Sequence, residues 1–201
     1  IAIKIRTLEL LSVFDMLGLV ILIIIQTIAA MKMSVLNKLL EQRAYTDAHT
    51  GLPNKDACEE LLNNKEKVSE HTACLMFDLN NLKIINDTKG HSKGDQLIFN
   101  FAHLLRRVIP QEAFVGRYGG DEFMVVIYNT SKTEIEDILM QLSREKDSLN
   151  SRGNDMPIDY ACGWAISDAD SECTIQMLLD KADYYMYENK QSRKKSKQSL
   201  K

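Results

Sequence analysis

Residues Glu112–Tyr128, EAFVGRYGGDEFMVVIY, decide the fold. Two apolar stretches, Glu112–Tyr118 and Glu122–Tyr128, flank Gly119-Gly120-Asp121. Short runs rich in Phe, Val, Ile and Tyr, broken by paired glycines, predict a β-hairpin. Its tip carries Asp121-Glu122, two acids that a turn does not require.

Upstream, Thr72–Leu79 (TACLMFDL) is a short apolar run closed by an acid, the pattern of a buried strand. A short helix is predicted over Asn81–Thr88 and a longer one over His91–Val108, with Leu97, Ile98, Phe101, Leu104 and Leu105 on its apolar face. Before them, His49-Thr50-Gly51-Leu52-Pro53-Asn54 marks a turn, and Asn54 caps a helix expected to run to about Lys67. Downstream come a helix over Thr133–Leu149, a strand over Ile158–Ile166 and a helix over Thr174–Asn189. The ten residues after Gln191, SRKKSKQSLK, read as a solvated basic tail. Strands and helices alternating around a central hairpin predict an α/β chain, a sheet covered by helices.

The N-terminal part is different in kind. Met16–Met31, MLGLVILIIIQTIAAM, has only Gln26 and Thr27 as polar side chains. At ~1.5 Å per residue it covers about 24 Å, short of a bilayer core, whereas a start at Leu10 gives about 33 Å. The longer span must take in Asp15, which costs least near an interface. No small-residue cleavage site follows before charged sequence resumes, which disfavours a signal peptide. A transmembrane helix is therefore expected. Lys32, Lys38 and Arg43 after the span, against Lys4 and Arg6 before it, lean by positive-inside counting to a cytoplasmic C-terminal side, so the domain is expected in the cytoplasm and the anchor in the cytoplasmic membrane. Met33, Leu36, Leu40 and Ala44 recur at helical spacing without Gly or Pro, so the helix is expected to continue as a stalk able to pair with a second copy. A first residue of Ile1 leads us to expect a piece of a longer protein.

The 201 residues carry a formal net charge of −3, unevenly spread. Residues 1–46 hold five basic and three acidic residues, 47–189 hold 14 and 25, and 190–201 hold six and none. An acidic body argues against a nucleic-acid polymer as partner, which needs a basic footprint. A single nucleotide stays possible if divalent cations screen its phosphates. Cys58, Cys74, Cys162 and Cys173 form no CxxC pair, which excludes a zinc ribbon and suits buried thiols in a reducing compartment.

Asp78 closes an apolar strand, where a carboxylate is expensive unless paired. If that strand lies beside the hairpin, Asp78, Asp121 and Glu122 converge at one sheet edge. Such a group suits Mg²⁺ or Mn²⁺ and metal-assisted phosphoryl chemistry; an ordinary charged turn is the competing reading. The two glycines leave room for a bulky group close over the backbone.

Gly119-Gly120-Asp121-Glu122-Phe123, preceded by Arg117-Tyr118, is letter for letter the GGDEF signature, so the chain resembles a GGDEF-domain diguanylate cyclase. Further motifs occur in the family's order: Asp47…Thr50-Gly51-Leu52-Pro53-Asn54; Phe77-Asp78-Leu79-Asn80-Asn81-Leu82-Lys83-Ile84-Ile85-Asn86-Asp87; Gly90-His91 and Gly94-Asp95; and Ala182-Asp183, Met186-Tyr187 and Lys190. The resemblance spans about residues 44–191. It implies the nucleotidyl-cyclase, ferredoxin-like fold with a mostly antiparallel sheet. It divides the chain into a transmembrane region over 1–31, a signalling stalk over 32–46, the GGDEF domain over 47–191 and the basic tail over 192–201.

The resemblance also implies an activity: condensation of two GTP into cyclic di-GMP and two pyrophosphates by a homodimer, each domain holding one GTP. Asp78, the Leu79 carbonyl, Asp121 and Glu122 would hold Mg²⁺ or Mn²⁺, and Asp121 would take the proton of the attacking 3′-hydroxyl. Asn86 and Asp95 would read guanine, whose N1–H and N2–H₂ donors a carboxylate matches and adenine lacks. Lys83 and Lys190 would neutralise phosphate, His91 would line the nucleotide site, and Gly119 and Gly120 would lie beneath the nucleotide. The N–H groups of residues 80–82 could cradle phosphate. Lys194 stands where the family carries an arginine, or Arg193 serves from a shifted position; a lysine there lacks the guanidinium fork. The family's product-binding RxxD motif would fall on Pro110-Gln111-Glu112-Ala113, which has neither residue. The other reading is a catalytically silent GGDEF module that binds GTP and signals by contact; a purely structural membrane dimer would leave the guanine-reading residues unexplained.

Overall fold

Every residue of Ala73–Leu79 (β1) is buried, because this strand is covered on both faces. The computed structural model describes residues 2–153, 155–167 and 172–198, with the side chains of 2–13, 41–42 and 193–198 outside the description. Two compact units result, residues 1–44 and 45–201.

The first unit is one α-helix, α1, Ala2–Ala44. Its stretch Phe14–Leu40 is long and apolar enough to cross a membrane, and none of it is buried. The second unit contains α2 (Lys55–Asn63), β1, α3 (Leu82–Lys89), α4 (His91–Val108), β2 (Phe114–Arg117), β3 (Glu122–Ile127), α5 (Lys132–Ser151), β4 (Tyr160–Ile166) and α6 (Ile175–Gln198). The four strands form an antiparallel sheet in the order β2-β3-β1-β4, flanked by helices as the sequence predicts.

Strand period two sorts the core into two layers. Leu75, Phe77 and Leu79 of β1 join Phe123 and Val125 of β3 and pack against α4 and α5. Phe77, Phe101, Phe123 and Tyr160 meet there at ring-centroid distances of 5.0–6.0 Å. Cys74 and Met76 alternate to the other face, with Met124 and Val126, against Cys58 and Leu62 of α2 and Leu178, Leu179, Ala182 and Met186 of α6. Asp78 is the next residue of that second set, so the pleat places it on the α6 face.

Gly163 of β4 fixes how closely α6 approaches. A Cβ there would lie 2.1 Å from the Met186 nitrogen, 2.2 Å from the Ala182 oxygen and 2.7 Å from the Tyr185 carbonyl carbon. The helix backbone thus rests directly on the strand.

Several boundaries differ from expectation, each for a local reason. Helix α2 stops at Asn63 instead of near Lys67, because the Asn64 side chain accepts the Glu66 N–H and turns the chain. Strand β4 starts at Tyr160, since Asn150 holds both the N–H and the carbonyl of Ile158. Helix α6 continues through Gln198 instead of giving way to a tail after Gln191; no Gly or Pro stands between Thr174 and Lys201 to end it.

Candidate functional site

Asp78 and Glu122 are directly opposite in the β1–β3 register, on the α6 face. Like charges facing across a strand pair repel, so the arrangement needs a cation. Lys190 supplies one: its ammonium donates to both Asp78 carboxylate oxygens, at 2.8 and 2.7 Å. Asp78 is only 8% exposed. Helix α6 also brings Asp183, and its 183, 186/187, 190 spacing sets Asp183, Met186, Tyr187 and Lys190 on one face. With Asp78, Glu122 and Gln191 they line an open cleft of about 510 Å³. Burial first, then the charges of Asp121, Asp78 and Asp183, push the Glu122 carboxyl above its ordinary value, while Lys190 pulls it down.

The hairpin tip is tied to β1 by main chain. The Leu79 N–H donates to the Asp121 carbonyl at 2.8 Å, and the Tyr118 and Gly119 N–H groups share the Glu122 carbonyl at 2.9 and 3.1 Å. Neither glycine has positive φ, so space and not dihedral freedom accounts for them. A Cβ on Gly119 would come 2.6 Å from Glu122 Oε2, and one on Gly120 would meet nothing within 4 Å, leaving that backbone open. Leu79 itself is buried at the strand end.

Arg117 and Asp47 anchor the turn, and sequence reasoning did not single them out for this. Arg117 Nη1 lies 3.0 Å from Asp47 Oδ2, and Nη2 donates to the Gly120 carbonyl at 2.8 Å. Asp47 also accepts from the Thr50 N–H and hydroxyl at 2.9 and 2.7 Å. Burial alone would raise the Asp47 pKa, but the Thr50 hydrogen bonds and the Arg117 charge outweigh it and hold the carboxyl below its ordinary value. Such a group stabilises the fold above its unfolded pKa, near about pH 4, and loses that contribution as pH falls through the lower folded value. Asp47→Asn is therefore expected to lose about 1–2 kcal/mol at pH 7. The gap from the parent should close toward pH 3, which urea melts at the two pH values measure.

Asn86 of α3 abuts α4: a Cβ on Gly94 would lie 1.9 Å from Asn86 Oδ1. That oxygen is buried with no hydrogen-bond partner among the described residues. Asp95, the residue after Gly94, is exposed, as are His91 and Lys83. Among the described residues, neither Lys83 nor His91 forms an ion pair with the acidic cluster. The Asn80 N–H is taken by the Asp159 carbonyl at 2.8 Å, so it is unavailable to a phosphate, contrary to the expectation for residues 80–82. The start of α3 at Asn81 and Leu82 remains. The side chains of Arg193 and Lys194 lie outside the described residues.

Among the described residues no three His, Cys, Asp or Glu side chains converge tightly enough to enclose a metal ion. The donors present are nevertheless hard oxygens of the kind Mg²⁺ and Mn²⁺ prefer, and the bidentate hold of Asp78 on an ammonium marks a place built to face a cation.

Comparison with known proteins gives one answer. The family described as "Diguanylate cyclase, GGDEF domain" matches residues 44–196. Diguanylate cyclase DgcP of Escherichia coli (strain K12) is 32% identical over 170 residues, 80% of this chain and 48% of that protein. Signaling protein YkoW of Bacillus subtilis (strain 168) is 32% identical over 167 residues, 80% of this chain and 21% of that protein. This chain thus spans about half or less of the length of these relatives. Among solved structures, the GGDEF domain of DgcB from Caulobacter crescentus in complex with c-di-GMP aligns with a TM-score of 0.64 at 28% identity, covering 74% of this chain and 91% of that one.

Proposed function

Because this chain belongs to the diguanylate cyclase GGDEF-domain family, we propose that it condenses two GTP into cyclic di-GMP and two pyrophosphates. The observation that carries this is the Asp78–Glu122 register, which sets the signature acids beside the one buried carboxylate of β1 and under Lys190.

Asp78, the Leu79 carbonyl, Asp121 and Glu122 would hold Mg²⁺ or Mn²⁺. Bound there, the ions would neutralise the triphosphate and acidify a sugar hydroxyl. Asp121 accepts the 3′-hydroxyl proton of one GTP as that oxygen attacks the α-phosphorus of the other, and the α–β bridging oxygen leaves with pyrophosphate. Asn86, with its unpaired buried oxygen, and Asp95 receive the guanine edge. The backbone at Gly120 is open to the nucleotide, Lys83, Lys190 and Lys194 meet phosphate, and His91 borders the base. Each domain holds one GTP, so two copies face each other across the reacting atoms. The part of the apolar stretch Phe14–Leu40 that precedes residue 32 anchors the chain in the cytoplasmic membrane, with the domain in the cytoplasm and residues 32–46 as a stalk through which pairing is controlled.

The experiment is GTP turnover by the full chain in detergent micelles with Mg²⁺, across protein concentration. Cyclic di-GMP rising faster than linearly with protein is expected. GTP binding without product at any concentration would favour the silent module instead.

Product control is expected to be absent from one place. Pro110, Gln111 and Ala113 border an open cavity of about 450 Å³ in which Arg106 is the charged lining residue. With no RxxD pair there, initial rates should be unchanged, within about twofold, when micromolar cyclic di-GMP is added.

A further inference from the structure

A lysine ammonium and a divalent cation cannot share the same edge of one carboxylate, yet the cyclase reading needs the cation where Lys190 sits. Resting on that reading, we infer that Lys190 is the resident counter-ion of the cation site: it neutralises Asp78 while nucleotide is absent and moves onto a phosphate when the cation enters. Three observations support the exchange. Asp78 is nearly buried and faces Glu122, so an empty carboxylate edge would carry an uncompensated charge. Both Asp78 oxygens are engaged by Lys190, which leaves the carboxylate no vacant edge toward α6. The Lys190 side chain is about a third exposed and lines the cleft, so its four-carbon stem can swing the ammonium outward without moving the helix.

The consequence is coupling. A bare cation must displace Lys190 with nothing to receive the ammonium, whereas a triphosphate offers it a new partner. Cation and nucleotide therefore strengthen each other's binding, and by linkage the effect is reciprocal. The chain would hold little Mg²⁺ until GTP arrives.

The test uses Mn²⁺ alone, without nucleotide, on the full chain in detergent micelles, with free Mn²⁺ read by its electron paramagnetic resonance signal. Lys190→Met and Lys190→Gln are expected to bind Mn²⁺ about tenfold more tightly than the parent. Lys132→Met, which removes the same charge from an exposed position on α5, should change affinity less than about twofold. A second readout needs no substitution: acetic anhydride should label Lys190 of the parent faster once Mn²⁺ is added, as scored by peptide mass spectrometry. Folded Lys190 variants that bind Mn²⁺ no tighter than the parent would overturn the inference, as would equal gains in the Lys132 variant or labelling that Mn²⁺ leaves unchanged. None of these readouts requires product. A parent that makes no cyclic di-GMP while Lys190→Met gains Mn²⁺ affinity would count against the cyclase and for the counter-ion.

Discussion

Asp121→Asn is expected to cut cyclic di-GMP formation by about a thousandfold while leaving the melting temperature within a few degrees of the parent. The two halves of this expectation come from different atoms of one residue. The carboxylate is the proposed acceptor of the 3′-hydroxyl proton, and an amide has no basic oxygen to replace it. The carbonyl holds the turn to β1 through the Leu79 N–H, and that bond survives the substitution. Product quantified by chromatography beside thermal melts separates the two. A variant that loses activity and fold together would show that the side chain, too, holds the turn.

The second large effect lies away from the acids. Gly163→Ala is expected to destabilise the domain by about 3 kcal/mol, the upper end of the overpacking range. In a domain of this size that corresponds to a fall of about 10 °C in melting temperature. The added methyl would strike main-chain atoms at Met186, Ala182 and Tyr185, which no rotamer change can relieve. The helix as a whole must lift. Because the lifted helix carries Asp183 and Lys190, GTP binding should weaken even below the melting transition. A Gly163→Ala protein that melts with the parent would contradict the close contact between α6 and β4.

The sequence made the fold legible wherever one element announces itself locally. The apolar run ending in Asp78 and the glycine-split hairpin both show as short apolar stretches bounded by acids or glycines, and helix α4 begins at His91 and ends at Val108 as read. What was not legible depends on partners far apart in sequence. Nothing near Arg117 announces Asp47, 70 residues earlier, nor near Lys190 announces Asp78, 112 residues earlier. The ends of α2 and β4 were misplaced because asparagine side chains, Asn64 and Asn150, claim main-chain groups that the apolar pattern assigns to a helix or a ladder. The basic run after Gln191 has the composition of a tail but no residue that stops a helix, and composition is the weaker signal. Asp183 was visible in a family motif; its one-face spacing with Lys190 was the cue to a place in the site.

The strand order β2-β3-β1-β4 also sets a timetable. The central strand β1 is the first to leave the ribosome, yet its two neighbours are β3, complete at Ile127, and β4, complete at Ile166. It has no partner until β3 is made and only one until β4 is made, so the sheet closes late and by non-local contacts, the slow kind. Helix α6 comes after the last strand, and it alone brings Lys190 to Asp78. A chain cut short before α6 would therefore leave Asp78 without its lysine beside Glu122, so an incomplete product cannot build the site on which signalling output would depend.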